Sequence, residues 1–191
     1  MENIETERLM LTPWRDCEED AQGLYSYAKD PEVGPNAGWK PHESPKESRC
    51  IIRELFIKSS TWAIREKETL KIIGSISLEP DRRREDVNSR EMGYSLSREC
   101  WGKGYMTEAA IAVMDYGFNK YGLVVMSICT SPANKRSQRV IEKCGFKYEG
   151  TQRKGYHIYD GTDRDNMVFS ILREEWEKQK RVNTDVQTDS V

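Results

Sequence analysis

Arg98-Glu-Cys-Trp-Gly-Lys-Gly-Tyr-Met-Thr-Glu-Ala-Ala110 follows directly on Glu91-Met-Gly-Tyr-Ser-Leu-Ser97, and the join between them decides how the chain is read. The upstream piece alternates, with Met92, Tyr94 and Leu96 on one face, and reads as a strand. Downstream, Ala109, Ala110, Val113, Met114, Gly117, Phe118 and Tyr121 recur at helical spacing. A strand, a glycine-bearing turn and a helix start together make an anion site, because the unpaired N–H groups of the first helical turn point outward. Gly102 and Gly104 have no Cβ, so the backbone itself can close around a phosphate. That geometry suggests a ligand carrying pyrophosphate.

Elimination narrows the choice. A Walker A loop needs Gly-Lys-Ser/Thr, but Lys103 lies between two glycines and no such tripeptide follows. A dinucleotide fingerprint needs a third glycine where Thr107 stands, and it belongs at the first strand of a βαβ unit, not after several strands. The plain alternative is that the glycines only make a tight strand-to-helix turn.

The chain has 191 residues, enough for one domain with a substantial core. Charged residues make up 32% and the net charge is −2, so no global basic field argues for nucleic acid. Hydrophobic content of 37%, with nine tyrosines and five tryptophans, supports a folded globule with a polar surface. Five cysteines (Cys17, Cys50, Cys100, Cys129, Cys144) are scattered without a Cys-x-x-Cys pair, and His42 and His157 are far apart, so no metal site is expected. No apolar run reaches membrane-spanning length and no signal peptide is read, which fits a reducing cytoplasm.

Along the chain, Arg8 to Trp14 alternates as a strand and Asp16 is placed to cap a helix through about Lys29. Residues 31–45 hold four prolines, Gly34, Gly38 and Trp39, a long loop of the kind that carries function. Ser44-Pro-Lys-Glu47 is a capping box opening a helix that buries Ile52, Leu55 and Phe56. Residues 61–65 and 70–78 read as a hairpin, and Asp81-Arg-Arg-Arg-Glu-Asp86 as a solvated connection. After the helix at 106–121, the almost uninterrupted apolar run from Leu123 to Thr130 is a central strand. Asn134 caps a short helix, Phe146 starts another strand, and residues 166–172 form the last one, followed by a short charged helix. The domain is read as residues 1–180, with 181–191 a polar, disordered tail. The order β-α-α-β-β-β-α-β-α-β-β is a mixed α/β (α+β) arrangement.

This order and three motifs resemble the GCN5-related N-acetyltransferase (GNAT) superfamily, most closely its RimJ/RimL branch of ribosomal-protein N-terminal acetyltransferases. The motifs are Trp101-Gly-Lys-Gly-Tyr-Met-Thr-Glu-Ala109, Asn134-Lys-Arg-Ser137, and Lys143-Cys-Gly-Phe146 with Glu149-Gly150. The superfamily's general signature, Gln/Arg-x-x-Gly-x-Gly/Ala, is met only at Gly104, with Trp101 and Met106 at its ends. Trp-Gly-Lys-Gly-Tyr is common in the branch. The resemblance implies a sheet of about seven strands flanked by about four helices, with two splayed central parallel strands. It also implies acetyl-CoA as co-substrate, no metal, and contacts from Trp101, Gly102, Lys103, Gly104, Tyr105, Met106 and Thr107 to the pyrophosphate. Amides of Leu96 or Ser97 would polarise the thioester carbonyl, Asn134 would hold the pantetheine, and Ser137 would protonate the departing thiolate.

The resemblance implies a primary amine as acceptor, first of all a protein N-terminal α-amine. A polyamine, an antibiotic, or a non-catalytic CoA-binding role are the alternatives, and a homodimer is compatible with the branch. Glu91 is the base candidate, working through water, ahead of Glu108 and His157. Trp39, His42, Tyr156 and Tyr159 are candidates to line the acceptor cleft, and Glu32, Glu43, Asp160 and Asp163 to attract a cationic substrate.

Overall fold

The computed structural model describes residues 1–188, with side chains through Val182. Eight strands form one sheet: β1 Ile4–Glu5, β2 Leu9–Pro13, β3 Thr61–Glu66, β4 Ile72–Pro80, β5 Ser89–Leu96, β6 Val125–Thr130, β7 Lys147–His157 and β8 Asp163–Leu172. Their order is β1-β2-β3-β4-β5-β6-β8-β7. The strand beyond the expected seven is the two-residue β1. Of the pairings, only β5–β6 is parallel. A parallel neighbour needs a long crossover, and the helix after the glycine turn supplies it.

The helices are α1 Glu18–Ala28, α2 Gly34–Ala37, α3 Pro45–Ile51, α4 Tyr105–Lys120, α5 Lys135–Lys143 and α6 Arg173–Thr188. They divide between the two faces of the sheet. On one face, α4 buries Met106, Ala109, Ala110, Val113, Met114, Gly117 and Phe118; the spacing predicts all of these except Met106, and Tyr121, which it also predicts, is the half-buried C-cap. It packs in a core with Met92 and Leu96 of β5, Met126 and Ile128 of β6, and Ile141 of α5. Gly117 is where the helix comes closest, since a Cβ there would lie 2.7 Å from Met126 Cε. On the other face, Ala21, Leu24, Tyr27 and Ala28 of α1 pack with Ile52, Ala63 and Ile72 in a second cluster.

Burial pushes the Asp20 carboxyl up, but hydrogen bonds from Arg15 and Arg65 outweigh it and hold the group below the usual carboxylate range. This buried ion pair ties α1 to β3. Asp20 also lies with Cys17 and Glu19 in a cluster of metal-ligating types, where arginines already occupy its oxygens.

Several local expectations change. Cys17, not Asp16, is the N-cap of α1, because the Asp16 carboxylate is drawn to Arg49 Nε at 2.6 Å. Ser44 does cap α3, accepting from Glu47 N at 3.2 Å, while Glu47 reaches back to Glu43 N at 2.6 Å. That helix continues as a π-turn over Ile52–Phe56. The wider turn shifts the register, so Ile52 is buried but Leu55 is 55% exposed. The 81–86 connection is not simply solvated: Asp81 is buried, held by Arg84 at 2.6 Å and by the Ser127 hydroxyl at 2.7 Å. Finally, α6 runs to Thr188, so residues 181–188 of the expected tail are helical and 189–191 lie outside the described residues. Among the described residues, no helix is long and apolar enough to cross a membrane.

Candidate active site

Strands β5 and β6 pair only over Ser89–Met92 and Val125–Ile128. Both continue, to Leu96 and Thr130, without pairing each other, so the sheet opens beyond Met92. Ser97 N–H donates to the Ile73 carbonyl at 2.7 Å. Given the alternation of an antiparallel pair, this bond turns the N–H and C=O of Tyr94 and Leu96 away from β4 and into the gap. The Leu96 carbonyl is taken by Trp101 Nε1 at 2.9 Å, leaving its N–H. Of the two amides expected to face a thioester, Ser97's is therefore spent within the sheet and Leu96's faces the opening.

The glycine turn closes one end of the gap. Gly102 has φ +76° and Gly104, the N-cap of α4, φ +81°. Both values lie in the left-handed region that glycine tolerates. A Cβ on Gly102 would meet no protein atom within 4 Å, so the turn faces open space that a ligand could fill. The turn is braced from behind: Arg8 Nη1 donates to the Lys103 carbonyl at 3.0 Å and Arg8 Nη2 pairs with Glu108 at 2.7 Å. Glu108 also accepts from Thr6 Oγ1 at 2.5 Å and Arg8 N at 2.8 Å. Burial pushes its carboxyl up, and these bonds more than reverse that, holding it below the usual range. With its oxygens occupied by Thr6 and Arg8, Glu108 braces the helix start.

Across the gap stands α5. Asn134 caps it, its Oδ1 accepting from Ser137 N at 3.1 Å, which leaves the amide Nδ2 as a donor. The Ser137 hydroxyl lies 3.0 Å from the Tyr94 hydroxyl, which also reaches the Ser137 carbonyl at 3.3 Å. Burial holds the Tyr94 phenol well above its ordinary pKa, partly offset by the Ser137 hydrogen bond, so it stays a neutral donor.

These elements enclose a cleft of about 630 Å³. Leu96, Trp101, Gly102, Gly104, Tyr105, Met106, Thr107, Asn134 and Ser137 line it together; Ser97 and Lys103 do not. Sequence reading missed Tyr94, Ser95, Arg136, Arg139 and Lys143, which also line it. The basic trio was readable as i, i+3, i+7 on one face of α5. Arg136 additionally lies 4.4 Å over the Trp101 ring. A left-handed glycine turn, a helix N-terminus and three cations form a donor set that fits a pyrophosphate and its neighbouring phosphate.

The acceptor candidates are placed differently. Val33, Asn36 and Ala37, from the 31–45 loop, reach the cleft wall. Trp39 packs on the α1 cluster, and His42 turns to Ser48 Oγ at 2.8 Å, its burial lowering the imidazole pKa. Tyr156 and Tyr159 hold the loop from outside: the Tyr156 hydroxyl donates to the Ala37 carbonyl at 3.4 Å, and Tyr159 N–H to the Gly38 carbonyl at 3.2 Å. Arg164 Nη2 adds a bond to the Pro35 carbonyl at 2.7 Å. Glu43 pairs with Lys40 and Asp160 accepts from Thr162, while exposed Glu32 faces solvent. His157 pairs with Asp163 at 2.8 Å on the exposed hairpin. Glu91 lies on the α1 face before the strands part, its carboxylate 2.9 Å from Arg83 and outside the cleft lining.

Comparison with known proteins agrees with this geometry. Residues 8–147 match the acetyltransferase (GNAT) domain family. The uncharacterized N-acetyltransferase p20 of Bacillus licheniformis is 33% identical over 183 residues, covering 92% of this chain and 99% of its own. The [ribosomal protein uS5]-alanine N-acetyltransferase of Escherichia coli is 32% identical over 85 residues, 44% of this chain and 43% of that protein. A GNAT-family acetyltransferase structure from Bacillus anthracis superposes with a TM-score of 0.79 at 23% identity, covering 91% of this chain and all of the other. With residues 8–147 matching the family and a relative 33% identical across 92% of the chain, the chain belongs to the GNAT family of N-acetyltransferases.

Proposed function

We propose that the protein transfers the acetyl group of acetyl-CoA to the α-amine of a protein N-terminus. The observation that carries this reading is the composition of the cleft wall: among the described residues lining it there is no carboxylate and no imidazole. A lysine amine, with pKa near ~10.4, is neutral at pH 7 only to about one part in a few thousand, which costs about 4–5 kcal/mol. An α-amine with pKa near ~8 costs about 1 kcal/mol. A wall without a base suits the second acceptor. The likeness to the uS5-alanine acetyltransferase supports the same choice.

The chain's residues then divide the work. The backbone amides of 102–106 and the cations of α5 hold the phosphates, and Asn134 Nδ2 steadies the pantetheine. Acetyl-CoA supplies an activated thioester. The Leu96 N–H stabilises negative charge that develops on the carbonyl oxygen. The acceptor nitrogen forms the new C–N bond, the C–S bond breaks, and the nitrogen loses a proton. Ser137, held beside the Tyr94 hydroxyl, directs its own O–H at the leaving sulfur. A thiol of pKa near ~8.5 is a good leaving group, so one such hydrogen bond serves, and the proton lost by nitrogen ends on sulfur. Glu91 can take part only through water.

Thiol release from acetyl-CoA, followed with N-terminally free peptides and with polyamines, tests the reading. Faster release with peptides is expected. Preference for polyamines would overturn the acceptor assignment, and tight acetyl-CoA binding with no acceptor-dependent release would overturn the enzyme reading in favour of a CoA-binding module.

A further inference from the structure

We propose that Tyr27, Ser75 and Ser95 form a hydroxyl subsite that holds the N–H groups of the acceptor amine on the α1 face of the gap. The inference rests on the acetyl-transfer reading above and names the groups that would orient the nucleophile.

Three observations carry it. The Tyr27 hydroxyl is buried, the residue being 2% exposed, and among the described residues it has no hydrogen-bond partner of good geometry. It lies against Ser75 and Ser95, whose Oγ atoms are 3.0 Å apart. Ser95 in turn lines the cleft, next to Leu96, whose N–H faces the gap. A buried hydroxyl left unpaired is destabilising, and phenylalanine would fill the same space without that cost. Inside the fold that oxygen has only the two serine hydroxyls beside it, neither at good hydrogen-bond geometry. A bound ligand would give it a partner.

The face identifies the ligand. Tyr94 and Leu96 belong to the α4–α5 side with Ser137, whereas Ser95 and Ser75 alternate to the α1 side. Val33, which packs in the α1 cluster, joins Asn36 and Ala37 in the cleft wall. The chemistry fits a neutral primary amine. Hydroxyl oxygens accept its N–H bonds and leave the lone pair free, without favouring the ammonium as a carboxylate would. Burial pushes the Tyr27 phenol up to about 12, so the cluster stays uncharged wherever an α-amine is reactive.

The test is Tyr27→Phe, with Ser95→Ala as a second variant, using acetyl-CoA and a short peptide beginning with alanine. Expected are an acceptor KM raised about tenfold, the loss of one neutral hydrogen bond, acetyl-CoA affinity within about twofold, and an unchanged or raised melting temperature for Tyr27→Phe. Unchanged acceptor KM in both variants would overturn the subsite, and a lowered melting temperature alone would mark an internal hydrogen bond completed by water. Weaker acetyl-CoA binding with unchanged acceptor KM would assign the hydroxyls to the pantetheine and overturn the acceptor role. A wild-type protein that acetylates no peptide or amine would instead sink the acetyl-transfer reading and the subsite with it.

Discussion

Replacing Gly102 by alanine adds one atom to the phosphate turn. With φ at +76° and no protein atom within 4 Å of the added Cβ, the cost to the fold is confined to the left-handed backbone. That cost is about 1–2 kcal/mol. In a chain of this size each 1 kcal/mol lowers the melting temperature by about 2–4 °C, so a fall of roughly 2–8 °C is expected. Gly161, in the turn between β7 and β8, is a matched control: φ is +84° and its Cβ would also meet open space. Gly161→Ala should lower the melting temperature equally. The variants part in binding. If the turn closes on phosphate, the new methyl occupies ligand space and displaces one or two charge-assisted hydrogen bonds worth about 1.5–3 kcal/mol each. Acetyl-CoA affinity, read by calorimetry, should fall by about 10- to 100-fold or more for Gly102→Ala and stay unchanged for Gly161→Ala. Equal affinities in the two variants would refute the phosphate cradle, because backbone strain is common to both.

Three further outcomes are expected. Ser137→Ala should slow turnover by about 10- to 100-fold with acetyl-CoA affinity nearly intact, measured by thiol release at saturating substrate; an unchanged rate removes the hydroxyl from the leaving-group step. Arg136→Ala with Arg139→Ala should weaken acetyl-CoA binding and flatten its dependence on salt, seen by titration between low and high ionic strength; an unaltered salt slope would take α5 out of phosphate binding. Glu108→Gln should cost about 1 kcal/mol of stability at pH 7 after allowing for solvent screening. Because the folded carboxyl lies below its ordinary value, its contribution is complete above the unfolded pKa near ~4.3 and is lost as pH falls through the folded value. Denaturant unfolding should therefore show wild type and variant converging in acid; a gap that persists below that range contradicts the bracing role.

What was legible in the sequence is what local spacing encodes. The α4 stripe from Ala109 to Phe118, the central run expected at 123–130 and found at 125–130, the glycine turn and the Ser44 cap depend on neighbours within a few residues. Asp16 misled because an N-cap competes with any nearby cation, and Arg49 is 33 residues away. Leu55 misled because a π-turn changes the period that defines its face. Trp39 and His42 have the residue types of a binding cleft, but their loop folds back on α1 and offers Val33, Asn36 and Ala37 instead. The contact between Tyr94 and Ser137 spans 43 residues and two elements, so no spacing rule reports it. Arg136, Arg139 and Lys143 were readable from their helical period once α5 was placed beside the glycine turn.

The central claim is that a cleft wall without a carboxylate or imidazole among its described residues selects an acceptor that is neutral at little cost near physiological pH. Its most direct test is one peptide carrying both a free α-amine and an internal lysine, incubated with the protein and acetyl-CoA, with the acetyl group located by fragment-ion mass spectrometry. Acetylation at the α-amine, with the lysine unmodified, is the predicted result. Acetylation at the lysine would contradict the account, because the site would then hold a base that the cleft wall lacks.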